Sequence, residues 1–493
     1  MKHRPVVVVW LVSFLTIAVW GAPESTSLHQ LADRIDDILQ EHRLDRAFFG
    51  AKVVSLANDE VIYARNPDSY FMPASNMKLV TAVAAAEILG FDFRFQTILG
   101  TRGRIENGVL EGDLLVIGGG DPTIGARLGS PSLEEIENGD AYCVFRQWAE
   151  ELKKRGITKI TGRLAGDISI FAGPERGEGW TWDDFAWGYA APVSGLQFNE
   201  NLALVRIDAR RGDFLTPTLR LTPPDAVRLV NLLYYAVDWE SPDVEAFAPE
   251  PGVVELKGKV RSNRSSLYAL SVPSPPDYFL RSLRQVLEKS GISVTGGTQV
   301  ITDTESPSDV QTLLVHNSPD LRYVLKVMLK VSQNLYAETL LKQLSPSRKG
   351  KNFDDGISQV EQVLRRIGVN EDAFVLVDGS GLSRYNLLTP DALVTLLRHV
   401  YHQPYASDFM DCLPVGGVDG TLRDRMGASA AAGNTRAKTG SLAYVRCLSG
   451  YVTTRDGEVL AYSLMLNHAA PQLMKRPETV LDKIVAVLAG IER

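Results

Sequence analysis

Residues 73–82 read PASNMKLVTA and place a serine, Ser75, three residues before a lysine, Lys78, where an apolar segment begins. Over 77–89 the residues are apolar on nearly every side of a helix, and Gly90 follows. A helix that is apolar all round is a buried one, and a glycine often ends a helix in the left-handed conformation. The pattern therefore predicts a buried helix with a serine and a lysine at its start.

Ser75 and Lys78 together meet the requirements of a nucleophile and its base. A nucleophilic serine needs a base within hydrogen-bond reach, and residues three apart on a helix share one face. The positive end of the helix and apolar surroundings both disfavour the lysine ammonium and so favour the neutral amine. A surface helix cap beside a solvated lysine has the same pattern, so this fragment alone leaves both interpretations open.

A second fragment, VSQNLYAETLL at 331–341, contains Ser332 and Asn334. Residues two apart do not share a helix face, so the pair is predicted on a turn before a helix over 335–344. Serine and asparagine are also ordinary helix caps, which is the alternative for this fragment.

A third fragment, RAKTGSLAYV at 436–445, opens a predicted strand with Lys438, Thr439, Gly440 and Ser441. A glycine in a strand allows another backbone or a ligand to come close. The lysine and the two hydroxyls together offer an edge that could bind a carboxylate. The alternative is a simple turn into a strand.

Composition limits the class of protein. The chain has 493 residues, of which 45% are hydrophobic and 23% charged, with a net charge of -7. These values are ordinary for a soluble globular protein, and the length suggests two to four domains at about 150 residues each. Nucleic acid is an unfavourable partner for a weakly acidic chain, since that binding requires clustered lysine and arginine.

The sequence offers no support for a metal or a cofactor. The three cysteines, Cys143, Cys412 and Cys447, form no C-x-x-C, and no H-E-x-x-H is present. Zinc and thioredoxin-like chemistry therefore lack their motifs, and a bridge between Cys412 and Cys447 stays open. The G-x-S-x-G turn of α/β-hydrolases is also missing.

The N-terminus has the pattern of a secretory signal. Lys2 and Arg4 precede an apolar run over 6–20, and the small residues Gly21 and Ala22 follow. This order is typical of a cleaved signal peptide. An uncleaved anchor is the alternative, although the run is shorter than the roughly 20 residues that span a membrane.

The rest of the chain changes texture twice. Short strand-like runs between glycine and proline turns dominate 97–300, whereas helical spacing dominates before and after. A hairpin is predicted around Asn58 and Asp59, and two C-terminal strands could join it in one antiparallel sheet. Helices are predicted at about 27–43, 141–155, 224–236, 278–290, 319–345, 356–367 and 390–402, with a last one around 481–488.

In the order S-x-x-K, S-x-N and K-T-G, the three fragments resemble the signature of penicillin-binding proteins and serine β-lactamases. The first two motifs lie 257 residues apart, far more than in class A β-lactamases, and the last two lie 106 apart. Such an insertion is similar to that of the D-alanyl-D-alanine carboxypeptidase/endopeptidase family, the class C low-molecular-mass penicillin-binding proteins. Three further stretches look like that family's: LVIGGGDPT at 115–123, DGSGLSRYNLLTP at 378–390 and LPVGGVDGTLRDR at 413–425.

The resemblance covers nearly the whole mature chain and implies an α+β fold. An antiparallel sheet covered by helices would form the penicillin-binding-protein or serine-β-lactamase-like catalytic domain, with a large strand-rich insertion between the first two motifs. The predicted division is a signal peptide at 1–22, a catalytic domain at 27–96 and 301–493, and an insertion at 97–300 with subdomains at 97–212 plus 266–300 and at 213–265.

The resemblance also implies roles for the motif residues. Ser75 would attack the carbonyl of the penultimate D-alanine of a peptidoglycan stem peptide, and Lys78 would take its proton. Ser332 would relay a proton to the leaving group, Asn334 would hold the substrate amide, and Lys438 would orient Ser332.

Substrate contacts follow from the same resemblance. Thr439, Gly440 and Ser441 would face the terminal carboxylate, and the backbone N–H groups of Ser75 and Ser441 would form the oxyanion hole. β-Lactam antibiotics would inhibit the enzyme by acylating Ser75.

Four outer residues are weaker expectations. Asp167 and Arg384 are expected to contact the stem peptide or its diamino acid, although an Asp before a strand end and an Arg after a glycine turn are also common structural residues. Asp419 and Arg423 would brace the site from behind.

The resulting hypothesis is an exported serine DD-peptidase in the periplasm or at the outer face of the cell envelope, with no cofactor. Two alternatives stay open: a serine β-lactamase with an unusual insertion, and a non-catalytic protein that binds the cell wall. The sequence does not decide the oligomeric state, the balance of carboxypeptidase and endopeptidase activity, or the diamino acid of the stem.

Overall fold

The structure is a computed structural model, which describes residues 28–42, 44–125, 132–210, 216–236, 241–302, 309–470 and 478–492. The predicted signal peptide lies outside the described residues. Among those residues, no helix is long and apolar enough to cross a membrane.

The helices are α1 Leu28–Glu41, α2 Met77–Leu89, α3 Leu133–Asn138, α4 Cys143–Lys154, α5 Pro275–Lys289, α6 Leu321–Lys330, α7 Asn334–Gln343, α8 Phe353–Arg366, α9 Pro390–Tyr401, α10 Ala406–Cys412 and α11 Glu478–Ala489. The strands are β1 Phe48–Ser55, β2 Val61–Arg65, β3 Gln96–Thr101, β4 Arg104–Glu106, β5 Val109–Glu111, β6 Leu114–Ile117, β7 Lys159–Ile160, β8 Leu164–Asp167, β9 Leu202–Asp208, β10 Thr218–Thr222, β11 Arg228–Tyr235, β12 Asp243–Phe247, β13 Val253–Val260, β14 Ser265–Ser271, β15 Ser293–Val294, β16 Thr298–Ile301, β17 Gln311–Asn317, β18 Phe374–Val375, β19 Leu387–Leu388, β20 Arg436–Leu442, β21 Val445–Thr453 and β22 Val459–Asn467.

Strands from both ends of the chain form one antiparallel sheet in the order β2-β1-β22-β21-β20. One face packs on α1 and α11, and the other packs on α2 and the helices that follow the insertion. Successive side chains of a strand point to opposite faces of the sheet, so the buried residues of these strands are divided between the two cores. This arrangement confirms the predicted α+β fold with an antiparallel sheet between helices.

The predicted buried helix is α2, and its first ten residues are all buried. Its alanines, leucine and methionine are good helix formers, and Gly90 ends it with φ 76° and an N–H donated to the carbonyl of Ala86. Burial of each large aliphatic side chain contributes about 1.5–3 kcal/mol. The helix start is therefore held rigidly in the middle of the domain, where Ser75 and Lys78 lie.

The middle of the chain forms further sheets, the largest in the order β16-β8-β6-β3-β17, where β6, β8 and β16 run parallel. Since β17 pairs with β3, this sheet continues beyond residue 300. Two smaller sheets, β11-β13-β12 and β10-β9-β14, share a second apolar core. The domain boundaries themselves stay a prediction.

The helix predicted at 224–236 is wrong, because this segment is β11. Its leucines and valine imitate helical spacing, but the segment pairs in parallel with β13 from Arg228 to Tyr235. Long-range pairing here outweighs local spacing, as is common for short apolar runs. All three cysteines are free thiols, so the structure contains no Cys412–Cys447 bridge.

Candidate active site

The three motifs meet in one cleft at the edge strand β20. Ser75 lies in a short 3-10 turn that leads into α2, Ser332 lies between α6 and α7, and Lys438 lies on β20. The cleft contains a cavity of about 430 Å³. Its lining residues are Ser75, Ser332, Thr421, Arg425, Thr439, Ser441, Arg446 and Glu478.

Lys78 is fully buried and contacts Ser75, a residue of the second motif and a backbone carbonyl. Its Nζ lies 3.0 Å from Ser75 Oγ, 2.6 Å from Asn334 Oδ1 and 2.8 Å from the carbonyl oxygen of Ser380. Burial lowers the pKa of Lys78 to about 7, although the carboxylates of Asp378 and Glu338 act in the opposite direction. An amine with that pKa is present in useful amounts in its neutral, proton-accepting form near neutral pH.

Lys438 supports the second wall of the cleft. Its Nζ donates to Ser332 Oγ at 2.9 Å and to the carbonyl oxygen of Thr439 at 2.8 Å. Burial, and then the nearby Lys78, hold the pKa of Lys438 well below its ordinary value. Ser332 therefore has a hydrogen-bond partner that orients its hydroxyl into the cleft.

The backbone at the site is strained at two non-glycine residues. Ala74, directly before the nucleophile, has φ 47°, and Ser332 has φ 61°. Such conformations cost about 1–3 kcal/mol each and persist only where the surroundings enforce them. Here the two residues lie shortly before the buried helices α2 and α7, whose packing supplies those surroundings.

Two glycines allow the segments around Ser75 to come together. A Cβ on Gly381, which has φ 79°, would lie 1.8 Å from the carbonyl oxygen of Ala74. A Cβ on Gly440 would lie 2.6 Å from the carbonyl oxygen of Pro73. The glycine of the third motif therefore serves the close approach of two backbones, β20 and the turn that carries the nucleophile.

Two buried carboxylates that sequence reasoning missed hold the loop behind Lys78. Glu338 accepts from the N–H groups of Gly379 and Ser380 at 3.0 and 2.8 Å. Asp378 accepts from Gly381 N–H at 2.7 Å, and from Trp180 Nε1 at 2.9 Å. Burial, with Asp378 beside it, raises the pKa of Glu338 to about 8.

This loop places the Ser380 carbonyl against Lys78. A signal was present in the sequence, because Glu338 follows Asn334 by four residues and therefore shares its face of α7. Its partner loop could not be read from the same pattern, since Gly379 and Ser380 lie about forty residues further along.

The two outer residues predicted from sequence, Asp167 and Arg384, each contact another segment of the protein. Asp167, at the end of β8, is 2% exposed and pairs with Lys349 at 3.2 Å, and its contact with the stem peptide stays a prediction. Arg384 donates to the Ala443 carbonyl at 3.3 Å and joins its loop to the β20–β21 turn.

The bracing residues also differ from the prediction in part. Asp419 pairs with Lys330 at 2.6 Å and accepts from Val415 N–H, so it ties its loop to the end of α6 just before Ser332. Arg423 is exposed. Arg425, two residues further, lines the cavity instead.

A loop from the inserted region contributes a wall that the sequence did not reveal. Asn334 Nδ2 donates to the carbonyl oxygen of Tyr189 at 2.8 Å, and the Tyr189 hydroxyl donates to Asp184 at 2.8 Å. The Tyr189 ring is 45% exposed. The backbone of this loop is therefore tied to Asn334, and its exposed tyrosine is tied to Asp184.

The fold and the convergence of a serine, two buried lysines and an asparagine define a penicillin-binding type of serine enzyme. The sequence model of the D-Ala-D-Ala carboxypeptidase 3 (S13) family matches residues 31–488 of this chain. The chain belongs to this family, which confirms the resemblance found in the motifs, and it is an enzyme of the D-alanyl-D-alanine carboxypeptidase class.

Individual relatives agree with the family. The chain is 32% identical to a D-alanyl-D-alanine carboxypeptidase of Actinomadura sp., over 94% of this chain and 85% of that protein. It is 28% identical to D-alanyl-D-alanine carboxypeptidase DacB of Haemophilus influenzae, over 84% of each chain. The crystal structure of penicillin-binding protein 4 (dacB) from H. influenzae superposes with a TM-score of 0.80 at 27% identity, over 92% of this chain and 97% of that one. A structure of the same protein complexed with a β-lactam superposes with a TM-score of 0.74 at 26% identity, again over 92% and 97%.

Proposed function

We propose that this protein removes the terminal D-alanine from peptidoglycan stem peptides through an acyl-enzyme on Ser75. The contact between Ser75 Oγ and Lys78 Nζ at 3.0 Å carries the proposal. A serine beside a buried lysine of lowered pKa is the arrangement that an activated nucleophile needs.

The acylation step follows from these positions. Ser75 Oγ attacks the carbonyl carbon of the penultimate D-alanine while its proton passes to neutral Lys78. The backbone N–H groups of Ser75 and Ser441 stabilise the oxyanion, and the loss of one such donor costs about 3 kcal/mol. Ser332 relays the proton from Lys78 to the departing amine as the C–N bond breaks, so that Lys78 is neutral again and Ser332 keeps its hydroxyl, which Lys438 holds in place.

Release of the product uses the same groups in reverse. A water molecule gives a proton to the base and attacks the ester carbon, the bond to Ser75 Oγ breaks, and the serine recovers its proton. Asn334 has its Oδ1 on Lys78 and its Nδ2 on Tyr189, so it holds the base and the cleft wall in one geometry. Thr439 and Ser441 contact the terminal carboxylate.

Endopeptidase activity on D-alanyl crosslinks is the second activity that we propose. The cavity of about 430 Å³ is lined by Thr421 and Glu478 as well as by Thr439 and Ser441, and this volume supports a leaving group larger than alanine. The chemistry is unchanged, because only the leaving amine differs. A β-lactam would acylate Ser75 in the same way, as the complex of the H. influenzae relative with a β-lactam suggests.

Export to the periplasm or the outer face of the envelope belongs to the same proposal. The basic and apolar pattern of residues 1–22 supports it, and so does a cell-wall substrate. If fluorescent penicillin labelled the protein only in the cytoplasmic fraction of fractionated cells, export would be contradicted.

Labelling with a fluorescent penicillin tests the acyl-enzyme. We expect a stable label on the wild type and on Ser358→Ala, an exposed serine of α8, and none on Ser75→Ala. Release of D-alanine from a D-Ala-D-Ala peptide should follow the same order. A label that forms and disappears quickly would favour a β-lactamase, and no label on folded wild type would favour a non-catalytic protein.

A further inference from the structure

Arg446 lines the cavity although no motif contains it. It stands at the second position of β21, directly opposite Ser441 of β20. Opposed residues of an antiparallel pair project to the same face with their Cβ atoms about 5 Å apart. Arg446 therefore stands beside the hydroxyl that faces the terminal carboxylate, and it lines the cavity together with Ser75 and Thr439.

The guanidinium of Arg446 is positioned by its own hairpin. Nη1 donates to the carbonyl oxygens of Leu442 and Val445 at 2.8 and 2.7 Å. Nε lies 3.7 Å from Glu478 Oε2, beyond hydrogen-bond length. Within the described part of the chain Nη2 has no hydrogen-bond partner, and the side chain is 30% exposed. The group is thus held in place but keeps donors for a ligand.

The other arginine of the cavity is already occupied. Arg425 binds Asp482 through Nε and Nη2 at 3.1 and 2.6 Å, and Nη2 also contacts the Glu478 carbonyl. A paired guanidinium of this kind braces α11 against its loop. Of the two arginines that line this cavity, Arg446 is the one with donors to spare.

We propose that Arg446 determines specificity for a leaving residue with a free α-carboxylate. The guanidinium would donate a charge-assisted hydrogen bond to the carboxylate held by Thr439 and Ser441. Glu478 Oε2 lies 3.7 Å from Arg446 Nε and would compete with that carboxylate for the guanidinium. This inference rests on the proposed DD-peptidase function. D-Alanine and a crosslinked diamino acid both carry a free α-carboxylate, and Arg446 would bind this group in either leaving residue.

The test compares two peptides that differ only in this charge: an N-acylated peptide ending in D-Ala-D-Ala as the free acid, and the same peptide as the C-terminal amide. Arg446→Gln should lower kcat/KM for the acid by about 10- to 100-fold, the range for a charged hydrogen bond, and change kcat/KM for the amide less than about twofold. Arg446→Lys should fall between, because it keeps the charge but loses the planar fork.

Two other variants sharpen the result. Arg436→Gln removes an arginine of β20 that pairs with Asp411 outside the cavity at 3.3 Å, and it should leave the acid-to-amide ratio unchanged. Glu478→Gln should lower KM for the acid alone, because the competing carboxylate is gone.

The outcomes separate the two proposals. If the wild type is active and Arg446→Gln has the same ratio of kcat/KM for the acid to kcat/KM for the amide, whether both values stay the same or fall equally, the role of Arg446 is overturned. A wild type that releases neither D-alanine from the acid nor D-alaninamide from the amide, and takes no penicillin label, overturns the DD-peptidase function, and the role of Arg446 with it.

Discussion

Lys78 Nζ and Asn334 Oδ1 lie 2.6 Å apart although 256 positions separate them in the chain. This hydrogen bond joins the first and second motifs inside the protein, where Lys78 is wholly buried. Because Lys78 also touches Ser75, the orientation of the base depends on a residue that only the fold brings to it. The chemistry of the site is therefore a property of three packed segments.

The pH dependence of acylation should report the pKa of Lys78. The base acts as the neutral amine, so the second-order rate of penicillin acylation should rise with pH and level off above about 7. Rates measured between about pH 5 and 9 test this, with Lys326→Met, an exposed lysine of α6, as the control of unchanged profile. A flat profile would contradict a titrating lysine base.

Lys78→Met should make folding stability less dependent on pH. The folded pKa of Lys78, about 7, lies below its ordinary value of 10.5, so the unfolded chain binds more protons between these values. The contribution of Lys78 to the free energy of unfolding therefore grows as pH rises from about 7 towards 10.5 and is lost as pH falls through 7. The variant should gain more stability at pH 6 than at pH 9, measured by urea unfolding, while acylation is abolished. An equal change at both pH values would contradict a lowered pKa of Lys78 in the folded protein.

Glu338→Ala should slow acylation indirectly, through the loop that holds Lys78, since Glu338 does not line the cavity where the substrate would bind. The loss leaves the N–H groups of Gly379 and Ser380 unpaired, which costs about 1–3 kcal/mol for each buried group. The Ser380 carbonyl then loses its fixed position against Lys78. Removal of a nearby carboxylate should also move the pH profile of acylation to lower pH, because Glu338 favours the Lys78 ammonium.

The control for this variant is Glu361→Ala on α8, a partly exposed glutamate that pairs with Arg365 at 3.0 Å. It should leave both rate and pH profile unchanged. A slower Glu338→Ala enzyme with an unshifted profile would assign Glu338 to folding alone.

Gly381→Ala should damage the site far more than Gly368→Ala. Both glycines have positive φ, 79° and 88°, so the conformational cost of alanine, about 1 kcal/mol, is shared. A Cβ at Gly381 would lie 1.8 Å from the Ala74 carbonyl, whereas a Cβ at Gly368 meets nothing within 4 Å. Penicillin labelling and thermal unfolding of the two variants compare them directly, and equal behaviour would contradict the close packing of the loop on the nucleophile's turn.

Local patterns in the sequence predicted several elements well. The apolar segment before Gly90 is α2 with the bounds Met77–Leu89. A segment that is apolar on every side is stable as a helix when it is buried, and a glycine commonly ends such a helix. The motif order, together with its large gap, identified the family that the comparisons confirm. The same kind of local pattern failed at 224–236, where a short apolar run pairs as β11 with a distant strand.

The sequence by itself determined the reactive groups: two serines, two lysines, an asparagine and the buried helix at whose start the first serine and lysine lie. Only the tertiary structure decided their state, since burial by α2, α7 and the Asp378–Gly381 loop lowers the pKa of Lys78 to about 7. It likewise placed Asp167 against Lys349 and Arg446 opposite Ser441. The physical reason is that desolvation and hydrogen bonding depend on distances between residues hundreds of positions apart, which no local spacing records.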